Sequence, residues 1–376
     1  CWQKPTPYPV PFLSLFGNPL LLLSADDNGN VQVLSEDQEL VYEDRVEGRP
    51  YQLASLEDRA VMTTWKGSVY CFGEQELLWQ SSLGSPLSAL VVGNGKIAAV
   101  TGGWDGQITA FEKNGNILWK ARLEDGISTL ALADNGEFTA AGTYAGQLSV
   151  FSKTGEKCWL QDVRSPVVRV AFTRHAQDLI AARRDRVLMR LNVENQNLVW
   201  DASLDKSPLD FALSANDRRL ILASREGELL FFTIDGNPNL HAHYAFPQMS
   251  RMLVSPLSSD GALVLALIPQ GVALADHRTK SQSIEIEQPA HNLALSADGR
   301  NLALGSADSI SLYRLGRPQL SAQLEPLGKL SKGRFTRLRI TLQNNGERMA
   351  RNIEVSLEGP LDCKPAGLPE ELKAGE

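Results

Sequence analysis

Hydrophobic and polar residues alternate along this chain in short runs, and the runs come in groups of four. Residues 87–92 (LSALVV), 97–101 (IAAVT), 107–111 (QITAF) and 117–122 (ILWKAR) form one such group. Each run is rich in strand-forming residues and is bounded by Gly, Asn, Asp or Pro, so each predicts a strand ended by a tight turn. The apolar spacing of an amphipathic helix is absent. The pattern predicts an all-β protein.

The group of four repeats. GSVYCFGEQELLWQSSLGSP, GQITAFEKNGNILWKARLEDG and GQLSVFSKTGEKCWLQDVRSP share a Gly, an alternating strand ending in Phe, a polar turn and a strand carrying Trp. Gly29, Gly67, Gly106 and Gly146 stand 38, 39 and 40 residues apart, and Arg186, Gly227, Gly271 and Ser309 take the same place in four more divergent copies. A solenoid would use shorter rungs, and a sandwich would not repeat in sequence. Four strands per forty residues predicts the blades of a β-propeller. Eight copies predict eight blades; the irregular seventh, GALVLALIPQGVALAD, keeps seven as the alternative.

The repeat also explains the opening CWQKPTPYP. Trp79 precedes Pro86 by seven residues, Trp159 precedes Pro166 by seven, and Trp2 precedes Pro9 by seven. Residues 1–8 therefore read as an outermost strand lacking its three predecessors. Residues 291–314 read as three strands lacking a Trp-bearing fourth. Pairing the two closes the ring and removes its edge.

VTGGWDGQITAFEKNGNILW resembles the repeats of quinoprotein-type and outer-membrane-assembly propellers, and LALSADGRNLALGSADSISLY resembles a degenerate WD40 repeat without its Gly-His and Trp-Asp dipeptides. The resemblance covers residues 1–316 and implies an architecture rather than an activity. From 317 the forty-residue period stops. RFTRLRITLQNNGERMARNIEVSLEGPLD resembles the start of an immunoglobulin-like sandwich of the CARDB type. Residues 317–376 fall short of the roughly 100 such a domain takes. The expectation is a propeller over 1–316 and a partial β-sandwich over 317–376, cut from a longer bacterial protein.

Composition narrows the function. A net charge of −7 supplies no general attraction to nucleic acid or anionic membrane, so no nucleic-acid partner is expected. No run reaches the roughly 18 apolar residues of a membrane helix. Cys1, Cys71, Cys158 and Cys363 are scattered without CxxC spacing, which fits reduced cytosolic thiols and suggests neither a zinc site nor a redox pair. His241 and His243 could share one side of a strand, but a third ligand is missing nearby. Seven arginines between Arg164 and Arg190 spread over several strands and turns, as on a solvated face. No nucleophile elbow, P-loop or metalloprotease motif is present, and no catalytic residue, cofactor or metal is expected.

Two aromatic sets remain. Trp2, Trp79, Trp119, Trp159 and Trp200 recur on the fourth strands, where a ring docking on the neighbouring blade is the expectation. Trp65, Trp104 and Tyr144 instead stand two residues before the turn Gly between second and third strands, and Arg184 and Arg225 follow in the next two copies. They either cover blade ends or form an arc of residue types enriched at binding hot spots. The reading is a non-enzymatic, cytoplasmic scaffold that binds a protein partner through this arc. The alternatives are an envelope lipoprotein anchored through Cys1, and an enzyme with a cofactor in the central channel.

Overall fold

The computed structural model describes residues 2–56, 58–246, 248–254, 263–276, 281–296 and 299–314, together with the strands 320–326, 338–344, 350–351 and 371–372. Two compact units divide the chain, Cys1–Tyr313 and Arg314–Glu376. The first is a propeller of eight four-stranded antiparallel sheets. Seven are built from consecutive strands, as in Ile127–Leu132, Phe138–Thr143, Gln147–Ser152 and Lys157–Asp162. The irregular seventh copy forms a full blade, Arg251–Val254 through Ser281–Ile286. In the third blade the second strand is Ala99–Gly103, two residues later than its apolar run. Ala98 precedes that strand yet still donates its N–H to the Phe111 carbonyl.

First strands of successive blades contact one another, which places them around the central axis and the fourth strands at the rim. The core is accordingly a series of layers between blades. Leu148, Val150, Trp159, Val167, Val170 and Leu179, from two adjacent blades, share one such layer.

The eighth blade closes the ring. Trp2–Pro5 pairs antiparallel with Ser309–Arg314, Trp2 facing Leu312 and Pro5 facing Ser309. The indole N–H of Trp2 then donates to the Glu36 carbonyl of the first blade at 2.6 Å. Trp79 repeats this bond to Lys113 at 3.0 Å and Trp159 to Val193 at 2.7 Å, each spanning 34 residues. The rings also need small neighbours: a Cβ on Gly115 would lie 2.6 Å from Trp79, and one on Gly155 2.6 Å from Trp119. Trp79 stacks on Phe111 and Trp119 on Phe151. These tryptophans are inter-blade wedges.

Among its described residues the second unit has two strand pairs, Leu320–Pro326 with Leu338–Asn344 and Ala350–Arg351 with Glu371–Leu372. The rest of residues 317–376, over which a partial sandwich is expected, lies outside the described residues.

Two outcomes follow from the wedges. Trp2→Ala is expected to cost about 2–4 kcal/mol, somewhat under the usual range for a fully buried Trp because this ring is half-buried. Urea unfolding of the two proteins checks it. Trp119 and Trp200 bury their indole N–H without an acceptor, and Arg190 occupies the Ile234 carbonyl 34 residues beyond Trp200. Trp79→Phe should therefore destabilise by about 1 kcal/mol more than Trp119→Phe, since only the former breaks a hydrogen bond.

Candidate functional site

Turns between second and third strands emerge on one face of the ring, beside the links from each fourth strand to the next blade. Backbone bonds fix them there. Trp65, Trp104, Tyr144, Arg184 and Arg225 donate their N–H groups to Arg49, Pro86, Gly126, Pro166 and Ser207, at 2.8–3.1 Å. Two residues on, the carbonyls of Gly67, Gly106, Gly146, Arg186 and Gly227 accept the N–H of the first residue after the same blade's fourth strand. Gly67 adopts φ +87°, and a Cβ there would lie 2.2 Å from the Ser85 oxygen. Arg186 holds the same left-handed turn at φ 66° with a side chain attached. The five positions are thus structurally equivalent.

Their side chains differ in how they meet. Trp65, Trp104 and Tyr144 are 49, 42 and 40% exposed. Trp104 stacks on Tyr144 with centroids 4.8 Å apart and planes 5° from parallel. Trp65 leans on Trp104 at 6.4 Å. Tyr51 adds a fourth ring, edge-on to Trp65 at 5.0 Å. Burial raises the Tyr144 phenol above its usual pKa, with smaller contributions from Tyr51 and Asp125. The three turn residues anticipated individually therefore belong to one contiguous aromatic ladder across blades two to four. Arg184 and Arg225 continue the row with exposed side chains.

Tyr51 is the member that the repeat did not expose. It occupies a β-bulge after Pro50, where the equivalent residues are Ser88, Ser128, Val168 and Leu209. A bulge turns its extra residue out of the ladder, so Tyr51 can reach the Trp65 ring. A large aromatic at a position otherwise Ser or aliphatic was the available signal. Beside it, Phe12, Arg49, Pro50, Tyr51 and Trp65 line a cavity of about 340 Å³. Arg49 is held there by Asp27 at 3.0 Å.

Other candidates resolve into structure. Arg169, Arg183 and Arg190 pair with Asp210, Asp185 and Asp178. His241 and His243 lie exposed on a fourth strand, and no group of three or more metal-ligating side chains forms among the described residues. Burial pushes the Cys71 thiol up to about 12 and raises that of Cys158, the opposite of an activated nucleophile. Cys1 and Cys363 lie outside the described residues. No helix among those residues is long and apolar enough to cross a membrane.

The same architecture recurs in solved structures of low sequence identity. The computationally designed Ika8 protein is 15% identical, with a TM-score of 0.67 over 83% of this chain and 98% of that one. The C-terminal WD40 domain of Sif2 is 14% identical, with a TM-score of 0.68 over the same shares. The propeller domain of Myceliophteria thermophila Cps50 (Swd1) is 11% identical, with a TM-score of 0.60 over 72% of this chain and 97% of that one. These likenesses concern the fold. No curated protein matches the sequence. One family model does, at residues 27–134 and 104–318, spanning six whole blades, the last two strands of the first and three of the four strands of the eighth. The matched residues include the turns that carry the ladder, and the chain belongs to that family, PQQ_2, described as outer membrane protein assembly factor BamB.

Proposed function

We propose that this propeller is a non-catalytic scaffold that binds a protein partner on its turn face, with the Tyr51–Trp65–Trp104–Tyr144 ladder as the anchor. The contiguity of four rings on one face carries the reading. Isolated exposed aromatics are ordinary on protein surfaces, whereas a joined patch marks an interaction surface. Trp, Tyr and Arg are the types that dominate interface energetics, and Arg184 and Arg225 extend the patch with guanidinium groups. The turns are pinned by backbone bonds, so binding would need little loop ordering and would keep most of its contact energy.

The proposed compartment is the cytoplasm, on the strength of cysteines scattered without CxxC spacing, of which Cys71 and Cys158 are free thiols. The family description supports a second reading, an envelope propeller. Fractionation of native cells with an antibody to the propeller separates the two: partition with the soluble cytoplasmic fraction supports the first reading, partition with envelope membranes the second.

The partner test uses the double variant Trp65→Ala, Trp104→Ala. Because the rings contact each other, it should lose about 1–2 kcal/mol of stability, a little more than independent surface positions would. Binding should weaken by about 2 kcal/mol or more. Affinity capture from the native host, with wild-type and variant proteins compared below the melting temperature of both, gives the answer. Partners recovered by wild type should be depleted on the variant. Equal recovery would reject the ladder as the docking site.

A further inference from the structure

All eight inner strands place an equivalent residue at one level of the central channel, immediately inside the turn face. These residues are Phe12 in the first blade and Gln52, Ala89, Thr129, Arg169, Asp210, Arg251 and Asn292 in the others, each paired to the corresponding position of its second strand. All but Phe12 and Asn292 line a cavity of about 290 Å³. Across all eight inner strands the charged residues are Arg169, Asp210 and Arg251, on consecutive blades. The channel wall thus carries a net positive charge inside an otherwise negative protein.

The two arginines are not equivalent. Arg169 pairs with Asp210 at 3.2 Å, and Asp210 also accepts the Phe211 N–H. Arg251 has no carboxylate partner among the described residues. It donates to Asn292 Oδ1, and Asn292 is committed to the Pro11 carbonyl and the Leu293 N–H. A guanidinium carries five N–H donors in a fixed fork, so most of this one's donors find no protein acceptor among the described residues. Desolvation by the channel wall lowers the Arg251 pKa, and attraction to Asp210 opposes that effect without a direct bond.

We propose that the channel is a binding site for a small anion carrying a carboxylate or phosphate group, held by the free edge of Arg251. That fork matches planar carboxylate and phosphate oxygens in a bidentate manner. The cavity lies at the lower end of the range for small-molecule pockets, which restricts the ligand to a small organic acid or phosphate. Low-dielectric walls concentrate the field of an unbalanced charge, favouring anion entry despite the overall charge of −7. The proposal is independent of the aromatic ladder and of any protein partner.

Isothermal titration with inorganic phosphate and with succinate, each at constant ionic strength balanced by sodium chloride, tests the site. Saturable binding of at least one is expected, and the stronger of the two identifies the preferred headgroup. Arg251→Gln should weaken it roughly tenfold or more, the loss expected for a charge-assisted bond. Asp210→Asn should tighten it, because a competing carboxylate is removed and Arg169 is released. Absence of saturable binding by both anions, or wild-type affinity in Arg251→Gln, would overturn the proposal. Should Arg251→Gln fail to fold, Asp210→Asn decides alone: unchanged or weaker affinity overturns it.

Discussion

The structure depends on closing the ring. A blade is a sheet with apolar side chains on both faces, and the layers between adjacent blades show that another blade covers each face. An open arc would leave two such faces in water. The strand Trp2–Pro5 prevents this by completing the last blade while its Trp engages the first. This contact joins residues more than three hundred positions apart. Its loop-closure cost grows only logarithmically with that separation, and the burial of a complete interface offsets it.

Polar side chains near the axis add a second set of links. Gln52 reaches the Ser88 carbonyl of the next blade, Ser88 the Ile127 carbonyl, and Ser128 the Val167 carbonyl. Ser88 and Ser128 occupy bulges, which aim their hydroxyls across the junction instead of along the sheet. Tyr51 occupies the same kind of bulge and uses the same freedom differently, by joining the surface rings. One backbone irregularity thus serves cohesion in two blades and the surface patch in a third. Arg169 and Arg251 stand at the Gln52 position of later blades and make the links to the next blade there, to Asp210 and Asn292.

Much of this organisation was legible in the sequence. Strand alternation, the forty-residue period and the matched Trp-to-Pro spacings led to an all-β fold, eight blades and N-terminal closure. Local turn chemistry was equally readable: the equivalence of Trp65, Trp104, Tyr144, Arg184 and Arg225 followed from their distance to the turn Gly. Such features depend on short-range backbone geometry, and a repeat states them several times over.

Side-chain relations between blades were not legible in the same way. The sequence placed Trp65, Trp104 and Tyr144 on separate turns, but blade spacing and twist decided that their rings touch. It marked Tyr51 only as an aromatic where other copies have Ser or an aliphatic residue, and the bulge decides that this ring meets Trp65. It grouped Arg169 with its arginine-rich neighbours, whereas the structure ties it to Asp210 and sets Arg251 at the same level of the channel. The alternating pattern and the turn residues determined what each blade is. Packing around a closed circle decided which residues of different blades meet, because those contacts depend on the three-dimensional angle between units that the repeat itself does not encode.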